Sequence, residues 1–451
     1  MKEPAPLRPA TLSFAEVLAA SIALIGLTMT PVLVAPYMYA NAGNATWVAY
    51  AFGGAMLIFV ALNLNQFTRR SSAAGSMYGY AANNLGRNGG AFAGWSLIWA
   101  YLFVGAAEFG AMALFATQLF GTGSTAIAEV LTILVVAGVC FYLSLRDIGL
   151  STIMMLVFET ASVAIICLLI AIVFFHHGPS VDVDQLRLRG FNGSTIGLGI
   201  ATAVFSLVGF ESATAFGEEA HQPLIIIPRA VIWSIIIASL FFIVATYAEI
   251  MGLRASRTPL DKLTAPLSTL AQLLHIGYLG LFITLGAFFS AFSVALACVN
   301  TCARIVLAMA REGALPPSIG AVHSRYRTPH ISLVLTTGGM LAIVGVMALL
   351  HLSPLDMFNY GGTLSAFGFI TIYALIAIAA PRYLYRIGEM RRCDVLLSAI
   401  TIGLMLVPTV TFFYPPQTPP AKWFPYFFVA YLAVGWVAFT IFAKNRRVVN
   451  G

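Results

Sequence analysis

The chain has 451 residues, of which 60% are apolar and 9% charged, and its net charge is +7; its mean hydropathy is +0.90, whereas soluble domains carry about 25% charge. So little polar surface cannot cover a water-soluble body of this size, which excludes a cytosolic enzyme and a secreted disulfide scaffold. An all-α polytopic membrane protein remains, because barrel strands alternate polar and apolar residues over about ten positions.

Residues 1–12 are polar, with Lys2 and Arg8. The apolar run that follows is too long for a signal-peptide core and is expected to stay in the mature protein. A spanning helix needs about 20 mostly apolar residues. Charged or Pro/Gly-rich breaks divide the chain into twelve such segments: 13–40, 46–67, 89–118, 123–144, 149–175, 194–217, 228–252, 278–310, 331–351, 355–380, 395–414 and 423–443. The longest non-apolar stretches, 176–192 and 253–277, are too short for a soluble domain, and a short helix is expected over 267–275. Residues 1–451 therefore read as one transmembrane domain.

Lys and Arg accumulate on the cytoplasmic side of membrane proteins. With the N-terminus inside, the outer loops hold six of the 24 basic residues (Arg187, Arg189, Arg254, Arg257, Lys262 and Lys422) and the inner ends hold the other eighteen. Both termini are thus expected in the cytoplasm, and the positive excess needs no nucleic acid. The five cysteines, Cys140, Cys167, Cys298, Cys302 and Cys393, lack metal or disulfide spacing and read as packing residues. Asn44-Ala45-Thr46 and Asn192-Gly193-Ser194 match the glycosylation pattern, at a frequency that chance alone supplies. No Walker A run is present, so nothing points to ATP-driven transport by this chain.

Two segments are interrupted. The first contains Gly26-Leu27-Thr28-Met29-Thr30-Pro31 with Pro36 beyond it, and the sixth contains Ser206-Leu207-Val208-Gly209-Phe210-Glu211-Ser212. Gly and Pro weaken a helix, and freed backbone groups at membrane depth survive only against protein or a cavity. One break is ordinarily a kink. Two breaks five helices apart mark an inverted-repeat transporter with its site at the repeat interface.

Three runs then carry a resemblance. They are Gly209-Phe210-Glu211-Ser212-Ala213 with Gly217-Glu218-Glu219, Pro223 and Pro228-Arg229; Ala73-Ala74-Gly75-Ser76-Met77-Tyr78-Gly79-Tyr80 with Leu85-Gly86 and Gly94-Trp95; and Asn300-Thr301-Cys302-Ala303-Arg304 with Arg311-Glu312-Gly313-Ala314-Leu315-Pro316. In this order they resemble amino acid–polyamine–organocation permeases. The resemblance implies a five-plus-five inverted-repeat core, helices 1–10 over residues 13–380, with two peripheral helices over 395–443. It also implies alternating access, with substrate held by the unwound parts of helices 1 and 6. Many members carry a Gly-Ser/Ala-Gly run in helix 1; this chain has the bulkier Gly26-Leu27-Thr28-Met29-Thr30-Pro31.

The substrate site is accordingly expected at Ile25, Gly26, Thr28, Thr30, Phe205, Ser206, Gly209 and Glu211. The half-helix beginning near Thr30 suits a carboxylate, carbonyls around 206–209 and Glu211 suit an ammonium, and Phe205, by resemblance, closes over the substrate. Glu211 has a second reading, as a carboxyl that caps freed backbone groups. Intramembrane acids are costly, so Glu159 in helix 5 reads either as a proton relay or as a structural hydrogen-bond acceptor. Glu108 reads as packing or lipid-interface chemistry, Glu249 as near enough to the outer end to reach water, and Glu16 and Glu129 as helix-end residues. Glu218-Glu219 reads as a salt-bridged latch. Some proton-driven members of the resembling family have a lysine on helix 5, and alignment from Leu150-Ser151 sets Ser162 at that position. Coupling is therefore expected through Glu159, Ser162 or Glu211, by a proton or by exchange, with sodium as an alternative ligand of Ser162.

Together these expectations describe an amino acid permease of the cell membrane with no cofactor and no metal. A polyamine or organic-cation porter of the same fold is the alternative. An enzyme or sensor finds no support, since the seven histidines lie in loops or near helix ends and no signalling domain is appended.

Overall fold

The structure, a computed structural model, describes residues 12–71, 76–121, 126–146, 148–178, 181–191, 193, 195–216, 220–326, 328–414 and 419–449. The expected Glu218-Glu219 latch, Asn192 and Ser194 of the second glycosylation match, Ala73-Ala74-Gly75 of the second motif, and Lys2 and Arg8 lie outside these residues. Among the described residues there is no strand, only an isolated bridge between Leu12 and Ala220.

The helices are α1 (Phe14–Ile25), α2 (Ala35–Ala42), α3 (Thr46–Thr68), α4 (Ser76–Phe120), α5 (Ala126–Arg146), α6 (Ile148–His177), the single turn α7 (Val183–Leu186), α8 (Ile196–Ser206), α9 (Pro223–Gly252), α10 (Pro266–Leu273), α11 (Tyr278–Glu312), α12 (His330–Leu349), α13 (Pro354–Arg386), α14 (Arg392–Thr411) and α15 (Phe424–Val449). Eleven spans among the described residues are long and apolar enough to cross a membrane. The first, Phe14–Thr68, is 55 residues long and contains both of the first two expected segments. Its backbone turns at Gly43 (φ 54°, ψ −135°). The expected third segment begins early, at Ser76, because the chain is already helical before Gly86 (φ 74°) kinks it. The short helix expected over 267–275 is α10.

Local chemistry sets the ends of these elements. Ser13 and Glu16 form a reciprocal capping box at the start of α1, which accounts for Glu16 as a helix-end residue. Gly26, at φ 67°, closes the same helix in the left-handed conformation that favours glycine. Ser353 caps α13, accepting the Asp356 N–H at 3.1 Å.

Small residues bring the central helices close, as membrane interiors require. A Cβ on Gly53 of α3 would lie 2.7 Å from Ala203 of α8, and one on Gly54 would lie 2.3 Å from the Ser239 hydroxyl of α9. On α13, a Cβ on Gly361 would lie 2.9 Å from Ala107, and one on Gly368 would lie 2.4 Å from the Ser96 carbonyl, both on α4. The body is thus α1 and α8 enclosed by α3, α4, α6, α9, α11 and α13. Helices α5, α14 and α15 lie outside and turn long apolar side chains outward. All five cysteines are free. Cys140, Cys298 and Cys302 are buried, as packing residues should be, but Cys167 and Cys393 are exposed and do not pack, because each falls on an outward-facing helix surface.

Candidate functional site

Both expected breaks are present. After α1, residues 26–28 leave the helix, a π-helical turn runs over Thr30–Val34, and α2 follows. After α8, residues 207–209 turn with Gly209 at φ 113°, and a 3-10 helix covers Phe210–Phe216. The two breaks touch through backbone. A Cβ on Gly209 would lie 2.9 Å from the Ile25 nitrogen and 2.9 Å from the Leu24 carbonyl carbon. Gly26 is similarly confined, its Cβ position lying 2.7 Å from Val294 of α11.

A small cavity opens between them. Helix 1 contributes Ile25, Met29 and Thr30, and the α8 break contributes Phe205, Ser206 and Gly209. The opposite wall comes from α4 (Tyr101, Val104, Glu108), α11 (Val294, Cys298) and α13 (Phe358, Phe369). Of the expected substrate residues, Ile25, Thr30, Phe205, Ser206 and Gly209 therefore meet here. Gly26, Thr28 and Glu211 do not line the cavity.

Glu211 is buried one step behind it. Its Oε1 accepts the Tyr101 hydroxyl at 2.9 Å, and its Oε2 accepts the Tyr373 hydroxyl at 3.2 Å and the Gly209 N–H at 3.1 Å. The carboxyl thus caps the break and fixes Tyr101, whose ring does face the cavity. Phe205 lies against α13: a Cβ on Gly362 would come within 2.7 Å of its ring, and the Phe358 ring stands edge-on at 6.5 Å.

Thr28 belongs to a second constellation. Its N–H and hydroxyl both donate to Glu159 Oε1, at 3.1 and 3.3 Å, and the Ser290 hydroxyl of α11 donates to Oε2. The Thr28 hydroxyl is also 2.9 Å from the Ser162 hydroxyl. The expected coupling residues Glu159 and Ser162 are therefore joined to the helix 1 break and to α11 in one buried cluster. Among the backbone donors at this break, the Thr28 N–H is taken by Glu159, and those of Met29 and Val32 by the Gly26 and Thr28 carbonyls.

Two acids differ from expectation. Glu249 is only 1% exposed, with no hydrogen-bond partner for either oxygen, and it lines a second, smaller cavity beside Pro31 and Leu270. It does not reach water, because α10 packs against the C-terminal part of α9. Glu108 is 3% exposed, lines the main cavity, and has an Oε2 with no partner; it stands on a cavity wall instead of within the close packing. A sequence signal existed: Tyr101, Val104 and Glu108 follow the i, i+3, i+7 spacing of one helix face. No cluster of three or more His, Cys, Asp or Glu suited to a metal occurs among the described residues.

Comparison with known sequences decides the family. The amino acid permease family matches residues 20–450. The chain belongs to the amino acid permease family. This permease is 23% identical to the branched-chain amino acid permease BcaP of Bacillus subtilis, over 74% of each chain. It is 27% identical to the low-affinity putrescine importer PlaP of Escherichia coli K12, over 72% of this chain and 71% of that one. It is 24% identical to the methylthioribose transporter of Bacillus subtilis, over 91% and 88%. The family and these relatives are transporters, not enzymes, and this permease is a multi-pass membrane protein of the amino acid–polyamine–organocation superfamily.

Proposed function

We propose that this permease is a secondary active transporter of amino acids in the cell membrane, working by alternating access with both termini cytoplasmic. Residues 13–380 form the five-plus-five inverted-repeat core and residues 395–443 the peripheral pair. The observation that carries the reading is the cavity bounded by both helix breaks, the location where inverted-repeat transporters hold substrate. Thr30, Ser206 and Gly209 supply polar groups beside apolar walls, Phe205 acts as the lid, and Glu211 works through Tyr101. The Glu159–Thr28–Ser290–Ser162 cluster ties helix 1 to α6 and α11, so a proton taken up or lost at Glu159 alters the bonds that hold the break. Exchange of substrates through the same cavity is the alternative to proton coupling, and sodium at Ser162 is a further one.

A second reading, a polyamine or organic-cation porter, is favoured by one observation: the carboxyl of Glu108 on the cavity wall. Uptake of labelled amino acids and amines by proteoliposomes containing the purified protein tests both. Accumulation of an amino acid supports the first reading, and accumulation of putrescine alone supports the second.

A further inference from the structure

The main cavity contains a carboxyl with nothing to bind. Glu108 is the one carboxylate among the described residues that line it, it is 3% exposed, and its Oε2 has no hydrogen-bond partner. The neighbouring acids are engaged: Glu211 by Tyr101, Tyr373 and Gly209, and Glu159 by Thr28 and Ser290. An unsatisfied carboxyl oxygen in an apolar interior is costly and in native proteins calls for an explanation such as a missing partner.

The surroundings define that partner. Around Glu108 the cavity walls include the rings of Tyr101, Phe205, Phe358 and Phe369, with Tyr101 and Phe369 edge-to-face at 5.3 Å. Aromatic faces attract cations, and an ammonium has three donors and no acceptor, which matches a lone carboxyl oxygen among rings. α4 packs closely on α13 to either side of Glu108: a Cβ on Gly361 would lie 2.9 Å from Ala107, and one on Gly110 would lie 2.8 Å from Met357. Cys298 of α11, on the same wall, adds no charge pairing.

We propose that Glu108 is the ammonium-binding residue of this permease and sets its specificity for primary amines on a compact apolar body. This rests on reading the cavity as the substrate site. The shared chemistry is a protonated primary amine, whether borne by an apolar amino acid or by the corresponding monoamine. With a single free carboxyl in the cavity, one ammonium is satisfied there and the remainder of the ligand lies against apolar side chains.

The test is ligand-induced thermal stabilisation of the purified full-length protein with leucine, isoamylamine and isocaproate as probes, using the native chain, Glu108→Gln, Glu108→Asp and Phe205→Ala. Isoamylamine or leucine should stabilise the native protein and isocaproate, which lacks the amine, should not. Which of the two amines binds more tightly tells the bare amine from the amino acid. Glu108→Gln should weaken amine binding about 30-fold or more, equivalent to about 2 kcal/mol, with its ligand-free melting temperature preserved, while Glu108→Asp should retain most of it. If Glu108→Gln fails to fold, Glu108→Asp and the isocaproate comparison on the native chain still decide. Isocaproate binding as well as isoamylamine, native amine affinity in Glu108→Gln, or no amine binding to the native chain each overturns the assignment. Native affinity in Glu108→Gln together with weakened binding in Phe205→Ala removes Glu108 and leaves the cavity as the site. Native affinity in both variants removes the cavity as well.

Discussion

Gly209 and Ile25 meet backbone to backbone: the position a Cβ would take on Gly209 is 2.9 Å from the Ile25 nitrogen, and Gly209 adopts φ 113°. The two interrupted helices are therefore joined at the point where both are broken, with no side chain between them. Gly209→Ala adds a clash with immovable backbone to a conformation that L-residues avoid, for which a cost of about 1–3 kcal/mol is expected from strain alone. The melting temperature of the purified variant should fall and uptake should be lost. A variant with native melting and native uptake would show that the breaks separate freely.

Phe205 owes its position to Gly362, where a Cβ would come within 2.7 Å of the ring. Phe205→Ala removes the aromatic lid but leaves the helix intact. Losing the burial of one such ring costs about 1.5–3 kcal/mol, or roughly 10- to 150-fold in affinity. Gly362→Val should reproduce part of this by pushing the ring into the cavity. Binding measured by thermal stabilisation should drop in both variants, and the ligand-free melting temperature of Phe205→Ala should fall as well, because the ring packs against Gly362 and Phe358.

Composition and punctuation explain how far the sequence could be read. Helix type and the two breaks follow from local features, apolar length and the placement of Gly26, Pro31 and Gly209, so they are visible without tertiary structure. The partners of the buried acids are not. Glu159 meets Thr28 and Ser290, each 131 residues away, and Glu211 meets Tyr101 and Tyr373, 110 and 162 residues away. The i, i+3, i+7 spacing places Glu108 on one helix face with Tyr101 and Val104, but nothing local tells which way that face turns, or that Glu211 caps a break. The direction of the face depends on the rotation of α4 about its own axis, which the small residues facing α13 determine.

Beyond the C-terminal end of α9, Arg254 grips Asp182 with two hydrogen bonds of 2.7 and 2.9 Å and also donates to the Asn44 side chain at 2.9 Å. Burial pushes the Asp182 carboxyl up, but hydrogen bonds from Arg254 and Gln185 outweigh it and hold the group below its usual range. A depressed carboxyl contributes stability that is complete above its unfolded value, about pH 4, and is lost as pH falls through the lower folded value. Asp182→Asn should therefore lower the melting temperature at pH 7, by an effect of about 1 kcal/mol once the 37% exposure of Arg254 is allowed for. The difference from the native protein should shrink below about pH 4. Because the Asn44 amide also donates to the Arg189 carbonyl at 2.7 Å, a glycan on Asn44 would break this cluster.

The basic residues concentrated at the inner ends predict that the exposed Ser324 faces the cytoplasm and the exposed Thr258 the opposite side. Single cysteines at these positions should react with an impermeant thiol reagent from opposite sides. The background must lack native cysteines, since Cys167 and Cys393 are exposed. Equal labelling of both positions in intact cells would overturn the orientation.

Energy coupling is tested at Glu159, where the carboxylate accepts from the Thr28 N–H and hydroxyl of the helix 1 break and from Ser290 of α11. A glutamine at this position keeps the size and one acceptor but adds a donor that faces other donors, so the cluster loses at least one bond and the group can no longer exchange a proton. Under an imposed pH gradient without sodium, native proteoliposomes should accumulate substrate and Glu159→Gln should not, while exchange between equal internal and external substrate persists in both. Ser162→Ala should leave proton-driven uptake largely intact, because Ser162 reaches the cluster only through the Thr28 hydroxyl. Uptake that requires sodium, is indifferent to pH and is abolished by Ser162→Ala would move coupling from a proton at Glu159 to a cation at Ser162. Full gradient-driven uptake by Glu159→Gln would leave Glu159 with a structural role, bracing the helix 1 break against α6 and α11.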